Sequence, residues 1–109
     1  MIKVKLYTDY KTQNIIFTMR GHAGAAPAGE DPVCAAATAY MWQLVEVVKG
    51  AEKQGWLIKK PRISINEGKA RITIRPKEQY VKTVNLLITM TATGFDWLAK
   101  QFPENVKYN

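Results

Sequence analysis

The stretch Arg62-Ile63-Ser64-Ile65-Asn66-Glu67-Gly68-Lys69-Ala70-Arg71-Ile72-Thr73-Ile74-Arg75 decides the fold. Ile63 and Ile65 alternate with Arg62, Ser64 and Asn66, and Ile72 and Ile74 alternate with Arg71, Thr73 and Arg75. Successive side chains of a strand point to opposite faces, so each run has one apolar and one polar side. Asn66-Glu67-Gly68 supplies a turn, and Ile58 to Pro76 reads as an antiparallel hairpin. A single apolar face implies a sheet covered by helices on one side.

Toward the amino terminus, residues 2–8 alternate in the same way, and Ile15 to Arg20 follow after a polar connection, which predicts two more antiparallel strands. Asp31-Pro32 is a helix start: Asp is a preferred cap, and Pro at the first helical position gives up an amide hydrogen that would be unpaired anyway. From there Cys34, Ala37, Met41, Leu44, Val45 and Val48 share one face, and Gly50 and Gly55 bracket the helix end. Beyond the hairpin, Tyr80, Val81, Val84, Leu87, Ile88, Thr91, Phe95, Leu98 and Phe102 recur at three- and four-residue steps, which predicts a second long helix over 78–101. Gly94 interrupts it and points to close helix packing, with a second subunit as one source. Pro103 stops it, and 105–108 leave room for a short edge strand. The expected fold is α+β: an antiparallel four-stranded sheet with two long helices in ββαββα order, plus that optional strand.

At 109 residues the chain is expected to form a single domain, 1–109. One cysteine makes no internal disulfide, and one histidine with one cysteine makes no multi-thiolate or His-rich metal site, so neither metal nor cofactor is expected. Met1-Ile2-Lys3-Val4-Lys5-Leu6 does not read as a signal peptide, and no apolar run approaches the roughly 20 residues that span a bilayer. A reduced, cytoplasmic protein is the expectation. Formal net charge is +7. Between residues 59 and 77, Lys59, Lys60, Arg62, Lys69, Arg71, Arg75 and Lys77 face only Glu67. This segment carries no interleaved exposed aromatics, so the simpler reading is a solvated hairpin face, with nucleic acid not expected as a partner.

The chemistry points elsewhere, to the only histidine and the only cysteine. Gly21-His22-Ala23-Gly24 leaves a strand, and the chain returns through Gly29-Glu30-Asp31-Pro32-Val33-Cys34 into a helix. A helix amino terminus and a nearby imidazole are two devices that favour a thiolate. Cys34 would then be a nucleophile and His22 its general base and acid, with amides of Cys34 or Ala35 aimed at a developing oxyanion. Asp31 has two open roles, capping the helix or orienting His22. Thr38, one turn on, either faces the site or bonds back to a helix carbonyl. The loop 21–30, including Gly21, Ala23, Gly24 and Gly29, contains nothing that can anchor a core and reads as a mobile flap over substrate. The competing reading makes Cys34 a buried small hydrophobe in a non-catalytic RNA- or ribosome-binding module.

Gly21-His22 and Asp31-Pro32-Val33-Cys34-Ala35-Ala36, with the closing Gly94 to Pro103 segment, resemble the ribosomal-processing cysteine protease (Prp) family. The resemblance implies a small homodimeric α+β thiol protease with His22 and Cys34 as the catalytic pair. It also implies removal of a short N-terminal extension from a large-subunit ribosomal protein, the twenty-seventh in the series, by cleavage after an aromatic residue. Related enzymes process phage capsid and scaffold proteins, so phage head proteins are an alternative substrate class. The chain departs from the family pattern at Pro32 (usually Ile), Thr38 (usually Ser), the Ala-Ala-Pro-Ala of 25–28, Tyr40 and Trp42.

Overall fold

The computed structural model describes residues 1–109. The alternating segments form β1 (Ile2–Asp9), β2 (Asn14–Arg20), β3 (Arg62–Asn66) and β4 (Lys69–Ile74). The Asp31-Pro32 start opens α1 (Pro32–Lys53). After a short 3-10 turn at Glu78–Tyr80 come α2 (Val81–Thr91), α3 (Thr93–Gln101) and β5 (Val106–Tyr108). The fold is α+β, and no helix is long and apolar enough to cross a membrane.

The sheet has five strands in the order β3-β4-β2-β1-β5. Four of them are antiparallel as expected, whereas β5 lies parallel to β1, so the sheet is mixed. Three residues carry no readable alternation. Their pairing comes from burial of Val106 and from backbone bonds at either end, Ile2 N–H to Asn105 O (2.8 Å) and Asn109 N–H to Val4 O (2.9 Å).

α1 runs through Gly50 and ends one turn later. Gly55 takes φ +78°, Gly55 N–H bonds to Glu52 O and Trp56 N–H to Ala51 O, a Schellman ending that needs the left-handed backbone. The expected second long helix is two helices. Ala92 has ψ −7°, and the flanking hydroxyls of Thr91 and Thr93 bond back to Leu87 O and Met90 O (2.6 Å each). Such back-bonding competes with the helix ladder and bends it. Gly94, just after the break, meets α1: a Cβ there would sit 2.9 Å from the Tyr40 ring. The close packing expected at Gly94 is thus made within the chain.

All helices cover one face of the sheet. Phe95 of α3 is the hub, with ring centroids 5.2 Å from Phe17, 5.9 Å from Tyr40 and 6.4 Å from Tyr108. Val45, Leu44 and Val48 of α1, Ile88 of α2 and Ile72 of β4 complete a core from which water is excluded. Leu87 and Phe102, read as part of the buried stripe, are more than a third exposed. Phe102 lies just past the last residue of α3, as its C-cap.

Candidate active site

The site forms where the end of β2, the β3–β4 turn, the start of α1 and the entry to β5 meet. Gly21 leaves β2 at φ +93°, and a Cβ there would collide with the Met1 carbonyl oxygen. Its N–H bonds to Gly68 O (2.9 Å), which ties the exit of β2 to the hairpin turn. Gly68 itself has φ +70°, and a Cβ there would lie 3.1 Å from His22 Nε2. The turn glycine therefore serves two purposes: it adopts the left-handed backbone, and it leaves room for the imidazole.

Ala23 follows and is 3 % exposed. Its N–H donates to Cys34 Sγ (3.2 Å), and its carbonyl accepts from Asn105 Nδ2 (2.9 Å). The expectation that nothing in 21–30 anchors to the core is corrected here. A methyl group suffices when the backbone is held on both sides, and that holding is tertiary. Asn105 was not singled out in the sequence, because its partner lies 82 residues away.

Asp31 is the helix cap and more. Oδ1 accepts from Val33 N–H (2.9 Å) and Cys34 N–H (3.1 Å), and Oδ2 accepts from Ala25 N–H (2.9 Å) and Ala26 N–H (3.3 Å). Burial pushes its carboxyl up, but the amides of Cys34, Ala25, Val33 and Ala26 outweigh that and leave it below the ordinary 3.8. Of the two roles open to Asp31, the structure shows capping, extended into a clamp on the loop, and no bond to His22.

That clamp corrects the expected oxyanion donors. Cys34 N–H is occupied by Asp31 Oδ1, and Ala35 N–H by the Asp31 carbonyl (3.0 Å), because a good cap satisfies the first helical amides. The donor that does reach the sulfur is Ala23 N–H, from the loop side.

Two cavities share His22, Cys34, Thr38, Trp42 and Glu67 in their walls. One, of about 430 Å³, runs toward the sheet and is lined by Ile2, Met19, Met41, Ile65 and Ala70. The other, of about 600 Å³, runs under the loop, past Gly24, Ala26, Gly29, Asp31 and Ala35. Thr38 Oγ1 makes no back-bond to the helix, unlike Thr91 and Thr93, and faces this junction. Cys34 is half-buried and His22 exposed, so the pair is reachable from a groove with an apolar end and a small-residue end. An extended peptide laid across the junction would put one side chain toward the sheet and its continuation under the loop.

The family model for cysteine protease Prp matches residues 1–107. The chain belongs to the Prp cysteine protease family. Solved structures agree in fold. The essential ribosomal processing protease Prp from S. aureus in complex with a covalently linked product peptide superposes with TM-score 0.71 at 22 % identity, covering 100 % of this chain and 98 % of that one. The same protease in complex with a substrate peptide gives 0.67 at 21 %, with the same coverages. SMU.848 from Streptococcus mutans gives 0.66 at 22 %, covering 100 % of this chain and 92 % of that one. A search of curated proteins gives no match. As a Prp family member the protein is a cysteine protease.

Proposed function

We propose that Cys34 is the nucleophile and His22 the proton carrier of a ribosomal-processing endopeptidase. The observation that carries this reading is the pair's place at the junction of two cavities, with Ala23 N–H aimed at the sulfur. Cys34 Sγ attacks the scissile carbonyl carbon while His22 takes the thiol proton. The carbonyl π pair moves onto oxygen, which Ala23 N–H stabilises from beside the sulfur. Collapse re-forms the carbonyl, breaks the C–N bond and passes the proton from His22 to the leaving amine. Water, deprotonated by His22, then hydrolyses the thioester and returns the thiol.

The substrate in this reading is the N-terminal extension of the twenty-seventh large-subunit ribosomal protein, cut after an aromatic residue that fills the sheet-side cavity. Residues 27–30, beyond the amides that Asp31 holds, close over the peptide, their small side chains giving little burial to oppose the entropy of opening. The enzyme acts in the cytoplasm, where a lone thiol stays reduced. It acts as a homodimer, for which exposed Leu86 and Met90, one turn apart on α2, and Trp97 on α3 offer apolar surface.

Incubation with the extended ribosomal protein and, separately, with phage head proteins, followed by mapping of new termini, tests this. A new terminus just after an aromatic residue in the ribosomal protein is expected. Replacing that aromatic residue by alanine should cost about 2–3 kcal/mol in kcat/KM, as for an emptied apolar pocket. Cleavage of head proteins alone would reassign the substrate.

A further inference from the structure

The hairpin charges noted above are part of a larger array that only the sheet register reveals. On the face of the sheet opposite the helices, Lys107, Lys3, Arg20 and Lys69 stand side by side across β5, β1, β2 and β4. With strands about 4.8 Å apart, this row of four spans roughly 14 Å. Lys5 and Arg71 flank Thr18 in the next row, and Arg62 lies beside Thr73 in the one after. All seven cations are exposed. The single acid on this face, Asp9, sits at the far end of β1, and the only salt bridge in the chain, Lys100 to Asp96, is on α3. Like charges set opposite one another destabilise a sheet, so folding does not explain their arrangement.

Two further features point to the partner. Beyond Arg62 the face ends in a depression of about 160 Å³ lined by Asn14, Lys59, Lys60, Arg62, Thr73 and Arg75. There Arg75 Nε and Asn14 Oδ1 are both sheltered from solvent without a partner, a donor for a phosphate oxygen beside an acceptor for a hydroxyl. Tyr7, 43 % exposed, follows Lys5 on β1 at the margin of the array. No apolar side chain projects among the cations as a bilayer would require, since Ile16 on this face is 5 % exposed.

We propose that the open face of the sheet is a docking surface for single-stranded RNA, whose phosphates follow the cation rows while a base stacks on Tyr7. Phosphates supply the repeated charge, the aromatic face takes any base, and the hydroxyls of Thr18, Thr73 and Ser64 lie among the rows to meet 2′-hydroxyls. The surface adds a partner that the reading of the 59–77 segment alone set aside, because the missing aromatic and four of the cations come from other strands. It stands independently of the roles of His22 and Cys34.

The test is fluorescence anisotropy with a labelled single-stranded RNA of mixed sequence, using the whole protein. Micromolar binding is expected at low salt, with log K falling against log salt at a slope near −3, about 0.7 for each of four to five phosphates. The triple variant K3E/K5E/R71E should weaken binding at least about tenfold, whereas K49E/K53E/K82E, of equal charge change on the helices, should shift it less than about twofold. K3Q/K5Q/R71Q, which introduces no repulsion, keeps the test valid if the charge reversal impairs folding, and should also weaken binding. Y7A should weaken it with the salt slope unchanged. Equal losses in the two glutamate triples would reduce the effect to net charge and overturn the proposal. So would tighter binding of DNA of the same sequence, or binding of anionic-lipid vesicles in place of RNA.

Discussion

The middle and the start of α1 are held in opposite ways. Around its middle, Leu44, Val45 and Val48 pack with Phe95 and Phe17 into a fully buried apolar core. At its start, three alanines, Val33 and Cys34 are fixed by directional bonds: four to Asp31, one to Cys34 Sγ and one from Asn105. Apolar burial is non-directional and supplies most of the stability, while hydrogen bonds set geometry to tenths of an ångström. The contrast implies that stability and catalysis can be changed separately in this molecule, and each of the following substitutions probes one side.

The largest effect is expected at the core. Phe95→Ala empties the space shared by Phe17, Tyr40 and Tyr108 and should lower unfolding free energy by about 3–5 kcal/mol in denaturant titration. A loss below about 1 kcal/mol would mean that Phe95 is not the hub. On the site side, Gly68→Ala places a methyl against His22 Nε2 at a left-handed backbone position. Stability should fall by about 1 kcal/mol, with a larger relative loss in kcat than in KM. Unchanged kcat would show that the imbalance in packing beside His22 is of no consequence to the reaction.

A subtler separation comes from Asn105→Ala, which frees the Ala23 carbonyl. One neutral hydrogen bond is worth about 1 kcal/mol in stability, yet the Ala23 N–H should lose its aim at Cys34 Sγ, so kcat should fall while KM holds. Loss of stability alone would make Asn105 a structural residue. Smallest is an acid effect at Asp31. Its folded pKa lies below 3.8, so the clamp is fully formed above that value and is lost as pH falls through the folded one. Amide resonances of Ala25 and Val33 should therefore report a midpoint below 3.8, and a midpoint at or above it would contradict the clamp.

The same division explains what was legible in the sequence. The first four strands and α1 follow from local rules, period-two alternation and the Asp-Pro start, and both ends of the His22–Cys34 motif could be found because each residue is unique. The break at Ala92, the parallel pairing of β5 and the anchoring of Ala23 depend on contacts between distant segments. Tyr40 against Gly94 and Asn105 against Ala23 leave no periodic trace. The amides of Cys34 and Ala35 are a different case: the local cap takes both, through the Asp31 carboxylate and the Asp31 carbonyl, and only the approach of Ala23 N–H to the sulfur is tertiary.

The most direct test of the central claim pairs Cys34→Ala with a cleavage assay on a peptide carrying an aromatic residue before the cut, with circular dichroism as the check on folding. Cys34 is half-buried at the core's edge, so the variant should fold as the wild type does while new termini disappear. His22→Ala should leave the thiol in place but slow its alkylation near neutral pH. A correctly folded Cys34→Ala protein that still cleaves at about a tenth of the wild-type rate or more would contradict the account.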